Sequence, residues 1–125
     1  MSAEKAGTGQ IVLIVEDEPM QRVMAADMLY DAGFWSLEAA DAYQALHTLE
    51  VRGDIRIVFV DIRLPYEFSG LELAEIVRRR WPEIEIILTS GSVEIVDTSL
   101  PDGAVFLRKP YRSQDILPVL RQIAH

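Results

Sequence analysis

The chain contains no cysteine, which removes disulfides, thiolate zinc sites and cysteine nucleophiles together. Histidine is almost as scarce, at 2 residues in 125, so a metalloenzyme built on imidazole ligands lacks donors. No apolar run approaches the roughly 20 residues that a membrane span needs. The opening MSAEKAGTGQ has no apolar segment of the kind a signal peptide carries. No G-x-x-x-x-G-K loop is present for nucleotide phosphates, and there is no internal repeat or low-complexity stretch. Positive charge is in deficit: 12 lysines and arginines against 20 acids give a net charge of -8. Bulk electrostatics therefore argue against direct nucleic-acid binding and against an anionic membrane, and favour cations and basic patches as partners.

What is there is a chain of one-domain size, half of it hydrophobic, which reads as a soluble globular protein suited to the cytoplasm. Residues 1–9 read as a flexible lead-in and 10–125 as the domain. The organising stretch is IRIVFVDIRLP, from Ile55 to Pro65. Its run Ile57-Val58-Phe59-Val60 lacks polar alternation, as a central parallel strand covered on both faces does, yet it ends on Asp61. Ligands and chemistry collect beyond the carboxyl ends of such strands. A loop-capping role for Asp61 weighs about evenly against a functional one until the other strand ends are considered.

Four more runs resemble strands: Ile11 to Val15, Phe34 to Glu38, Glu85 to Gly91 and Ala104 to Leu107. Helical patterns lie between them. Pro19 can open the first, whose apolar face is read as Val23, Ala26, Leu29 and Tyr30, with Gly33 ending it. Asp41 and Gln44 resemble a capping box for the second, built on Ala42, Ala45, Leu46 and Leu49, with His47 on its solvated side. The third carries Leu71, Ala74 and Val77, and ends in Arg78-Arg79-Arg80, read as solvated helix-end charge. Ser92 to Gly103 has little periodicity, so the fourth helix is expected to be short or irregular. Ser113 can cap the last, on Ile116, Val119, Leu120 and Ile123, provided Pro118 lies within its first turn. Five strands alternating with about five helices describe an α/β fold: a doubly wound five-stranded parallel sheet with helices on both faces.

In that fold the carboxyl ends of the strands gather at one edge. There they present Glu16 and Asp17, Asp61, Thr89 or Ser90, and Lys109. Carboxylates about 4 Å apart repel by about 4 kcal/mol at an effective dielectric of 20, so such a cluster calls for a cation. A hard divalent ion with oxygen ligands, Mg²⁺ above all, fits acids that leave room for water and a phosphoryl group. Asp61 could then attack phosphorus while Lys109 and the metal offset charge on the phosphoryl oxygens.

These motifs, VLIVEDEP, VFVDIRLP, ILTSG and FLRKP, resemble those of the response-regulator receiver domains of two-component signalling, over roughly Gln10 to the end. The resemblance implies a flavodoxin-like fold and a phosphorelay role. Asp61 would be the phosphoacceptor, Glu16 and Asp17 the metal-binding acids, with Asp17 the favoured direct ligand, and the backbone carbonyl of Arg63 a further ligand. Lys109 would pair with phosphoryl oxygens. Ser90, followed by the small Gly91, matches the switch hydroxyl better than Thr89 does. Phe106 matches the switch aromatic, with sheet packing an equal alternative, and Tyr111 fits an aromatic position used for packing. The implied cofactor is Mg²⁺. Implied partners are a sensor histidine kinase or histidine phosphotransfer protein, and a downstream protein target.

Departures from the family pattern are an extra residue between Pro65 and Gly70, a short interval from Ser90 to Lys109, and a chain ending with its last helix. The last suggests a single-domain regulator, or a receiver excised from a longer protein. Two other readings compete: a phosphorylation-independent interaction module of the same fold, and a metal-dependent phosphatase. The phosphatase reading would want a second acid two residues after Asp61, where Arg63 stands. As a receiver the domain would catalyse at most its own phosphorylation and dephosphorylation.

Overall fold

A computed structural model describes residues 9–91 and 100–123. The apolar-rich runs become strands β1 (Ile11–Val15), β2 (Trp35–Ala39), β3 (Ile55–Asp61), β4 (Glu85–Ser90) and β5 (Val105–Arg108). Between and after them lie helices α1 (Pro19–Asp31), α2 (Ala42–Val51), α3 (Gly70–Arg80) and α4 (Ser113–Ile123). The strands form one parallel sheet in the order β2-β1-β3-β4-β5. This is the expected doubly wound sheet, and its order reverses between β1 and β3, which opens the crevice at their carboxyl ends.

Alternation along the strands divides the core in two. Leu13, Val15, Val58, Val60, Ile86 and Leu88 face one side, where Ala42, Ala45 and Leu49 of α2 and Leu73, Ala74 and Val77 of α3 cover them. Val12, Ile14, Ile57, Phe59 and Ile87 face the other, under Ala25 and Leu29 of α1 and Ile116 and Leu120 of α4. Each large side chain buried this way contributes about 1.5–3 kcal/mol. Central strands buried on both faces cannot slip in register without exposing one of these sets.

Several local expectations need correction. Of the α1 face read from the sequence, Leu29 and Ala26 pack on the sheet with Ala25 beside them, whereas Val23 and Tyr30 are half exposed. The helix also carries apolar side chains on its exposed side, Met20, Val23, Met24 and Tyr30, so apolar residues alone do not mark its sheet face. Strand β2 is shifted by one residue, Phe34 being buried just ahead of it. Ser113 is the first residue of α4, not its cap; Asp115 accepts the N–H of Arg112 at 2.8 Å instead. Pro118 is the sixth residue of α4, beyond the first turn, yet the helix continues. Gln114, whose carbonyl loses that partner, is exposed and can turn to water.

Two helix ends are tied differently from expectation. Asp41 caps α2 through the N–H of Gln44, but the Gln44 side chain accepts from Ala40 at 2.9 Å, one residue outside a capping box. Arg78 is not merely solvated: its guanidinium donates to the carbonyls of Asp102, Pro82 and Ile84, stapling α3 to the strand entrances. Arg79 and Arg80 are exposed as expected, and so is His47. The lead-in through residue 8 and the weak segment over residues 92–99 lie outside the described residues.

The start of α3 is fixed against the end of β3. A reciprocal capping box joins Ser69 and Glu72, at 2.9 and 3.1 Å. Gly70 donates its N–H to the carbonyl of Ile62 at 2.9 Å. A Cβ on Gly70 would overlap the carbonyl oxygen of Asp61 and come within 2.8 Å of its carbon. The loop from Ile62 to Ser69 is therefore closed at both ends on the same peptide group. Gly70→Ala should cost about 1–3 kcal/mol, the range for overpacking a tight site; urea unfolding measures it, and an unchanged midpoint would refute this close approach.

Candidate functional site

Three strands deliver the site. The N–H of Glu16 continues the β1 ladder, donating to the carbonyl of Ala39 at 3.0 Å, so the Glu16 side chain is carried just past the strand end and is buried. Asp61 is the last residue of β3 and is also buried, 7% exposed. Lys109 follows β5, and its N–H donates to the carbonyl of Ser90 at 3.0 Å, which sets its height against β4. The peptide bond from Lys109 to Pro110 is cis.

The ammonium of Lys109 closes the arrangement. It donates to Asp61 Oδ2 at 2.6 Å, to Glu16 Oε1 at 2.8 Å and to the side-chain oxygen of Gln21 at 2.6 Å. Burial by itself pulls its pKa down; the hydrogen bonds and charges of Asp61 and Glu16 outweigh that, and the net shift is upward. Lys109 is thus held as a cation. Asp61 Oδ1 accepts the N–H of Arg63 at 3.0 Å, and Glu16 Oε2 accepts that of Glu18 at 3.1 Å. Arg22 donates to the carbonyl of Glu16 at 2.7 Å and to Glu38 at 3.0 Å, steadying the backbone beneath the acids.

Asp17 completes the acid cluster. One carboxylate oxygen from each of Glu16, Asp17 and Asp61 lies within 4.8 Å of the others, with Asp17 exposed and the other two buried. One ammonium against three carboxylates leaves the group negative, and all its acidic donors are hard oxygens. That donor set suits a hard divalent cation.

Glu16, Asp17, Asp61 and Lys109 are thus brought together as the strand ends implied. For Arg63 the contact seen is through its N–H. Ser90 and Thr89 are both buried at the end of β4, and alternation separates them. Thr89 continues the face of Ile87 and lines a small cavity with Phe59, Asp61 and Tyr111. Ser90 continues the face of Ile86 and Leu88, the face against which Phe106, in register with Leu88, is packed. Sequence reading missed Gln21. A polar residue in the first turn of a helix has no distinguishing mark, and only the fold brings it to Lys109.

The profile of the response regulator receiver domain matches residues 12–121. Among curated relatives, the nitrogen assimilation regulatory protein NtrX of Azorhizobium caulinodans is 32% identical over 112 residues, covering 86% of this chain and 24% of that protein. The transcriptional regulatory protein PdtaR of Mycobacterium tuberculosis is 30% identical over 112 residues, 87% of this chain and 54% of that one. The chain therefore spans about a quarter of the NtrX relative and about half of PdtaR. Among solved structures, a CheY-like receiver domain from Methylobacillus flagellatus superposes with a TM-score of 0.79 at 29% identity, covering 92% of this chain and 98% of that one. NtrX from Brucella abortus, in complex with ATP, gives 0.80 at 30% identity over 91% of this chain and 26% of that one. TrrA from Thermotoga maritima, in complex with Mg(2+)-BeF, gives 0.83 at 23% identity over 91% of this chain and 98% of that one, a likeness of fold.

Tyr111 forms the apolar wall of the site, its ring centroid 5.5 Å from that of Phe59. Burial pushes its phenol up to about 12; Lys109 pulls the other way, and Glu16 and Asp61 add to the rise. The neutral phenol is favoured in the fold, so this contribution to stability is complete below the unfolded pKa of about 10 and is lost as pH climbs toward 12. An ultraviolet titration should find a tyrosine step near 12, and Tyr111→Phe should remove that step. No such step, or one that persists in Tyr111→Phe, would refute it.

Proposed function

The chain belongs to the response regulator receiver domain family, and from that premise we propose that Asp61 accepts a phosphoryl group and that the added charge changes what the domain binds. The observation that carries this is the contact of Lys109 with Asp61 inside the acid cluster. The donor is a phosphohistidine on a sensor histidine kinase or a histidine phosphotransfer protein. A carboxylate oxygen of Asp61 forms the new bond to phosphorus as the phosphorus–nitrogen bond breaks, and the electron pair leaves with the imidazole. Lys109 moves from the carboxylate to a phosphoryl oxygen.

Glu16, Asp17 and Asp61, with the carbonyl of Arg63, would hold Mg²⁺; the three converging carboxylates support that assignment, and Asp17, the exposed one, is the favoured direct ligand. Bound there, the ion would offset negative charge on the phosphoryl oxygens during transfer. Ser90 and Phe106 are the expected switch pair, and their shared sheet face supports it; Thr89, in register with Asp61 and lining the cavity beside it, is the alternative hydroxyl to meet the phosphoryl group. A downstream protein then reads the changed surface. On this reading the domain works in the cytoplasm; among the described residues no helix is long and apolar enough to cross a membrane.

Incubation with Mg²⁺ and acetyl phosphate, followed by intact mass, tests the reading. Wild type should gain one phosphoryl group and Asp61→Asn none. A wild type that stays unmodified would leave a phosphorylation-independent interaction module in its place.

A further inference from the structure

An ammonium has three N–H bonds, and Lys109 uses all three. Two go to the acids Glu16 and Asp61; the third goes to the neutral amide oxygen of Gln21 at 2.6 Å. Because the ammonium only donates, the Gln21 amide must turn its oxygen, not its nitrogen, toward Lys109. Gln21 is the third residue of α1, and its own N–H is bound by the capping carboxylate of Glu18 at 3.0 Å. The N–H of Glu18 is bound in turn by the second carboxylate oxygen of Glu16 at 3.1 Å. The hydrogen bonds therefore form a closed circuit from Glu16 through Glu18 and Gln21 to Lys109 and back to Glu16. Its first half is fixed by a helix cap, which anchors the Gln21 backbone, and the Gln21 side chain reaches from there to Lys109 on the open side of the site.

We infer that Gln21 is a positioning residue for Lys109: it takes the outward N–H, aims the other two at Glu16 and Asp61, and so sets how fast Asp61 is phosphorylated. This rests on the function proposed above and names a determinant of its rate. Without Gln21 the third N–H turns to water and the four-carbon stem of Lys109 regains rotamer freedom that must be lost again in each transfer. Neutrality matters as well. A carboxylate in the same place would hold Lys109 but add negative charge where an anionic phosphodonor must approach. Gln21 is exposed, so replacing it removes the contact without opening the core.

The test compares wild type with Gln21→Met, which keeps length and loses the acceptor, and with Gln21→Glu, which keeps the acceptor and adds charge. With Mg²⁺ and acetyl phosphate, Gln21→Met should slow phosphorylation about fivefold, the equivalent of one modest hydrogen bond, and Gln21→Glu should slow it at least as much. In protein labelled with ¹⁵N-lysine, the Lys109 ammonium protons should exchange with water faster in Gln21→Met and stay protected in Gln21→Glu. Unchanged rate and unchanged exchange in Gln21→Met would overturn the inference. If wild type takes no phosphoryl group, the functional reading fails on its own, and the exchange comparison alone decides whether Gln21 anchors Lys109: faster exchange supports it and unchanged exchange overturns it.

Discussion

The site depends on one ammonium. Lys109 reaches from β5 across β4 to the ends of β3 and β1, with Asp61 at 2.6 Å and Glu16 at 2.8 Å. Without a cation those two buried carboxylates would repel each other. With it that repulsion is offset and the two acids sit side by side at the strand ends. The interaction also constrains the sheet, because strands far apart in sequence must end at matching heights for their side chains to meet. The parallel register from β1 through β5 delivers that.

The sheet supplies the rigidity and the loops supply the opening. Central strands covered on both faces hold Glu16, Asp61 and Ser90 at fixed ends, while Asp17 and Gln21 stand exposed where a donor can approach. Gly70 and the Ser69–Glu72 cap bring α3 onto the peptide of Asp61, so the loop that follows Asp61 begins and ends at the same place. Asp61 is thereby in direct contact with both the sheet and the start of α3.

The strands and the acids were legible because each carries a local signal: an uncharged β-branched run, then a carboxylate or lysine at its carboxyl end. The sheet face of α1 was legible only in part. Leu29 and Ala26 pack as read, but Val23 and Tyr30 extend the same helical stripe and are half exposed, while Ala25 is buried. Thr89 and Ser90 could not be separated from composition; alternation within β4 puts one on each face. Gln21, the stapling role of Arg78 and the tolerance of α4 for Pro118 all depend on neighbours distant in sequence or on solvent access, neither of which a local pattern records.

The central claim is that a carboxylate oxygen of Asp61 forms the bond to phosphorus. Reduction with borohydride after exposure to Mg²⁺ and a phosphodonor converts an aspartyl phosphate to homoserine, which peptide mass mapping locates. The account predicts homoserine at position 61. Homoserine elsewhere, an intact Asp61 beside a modified Asp17, or no reduced residue at all would contradict it.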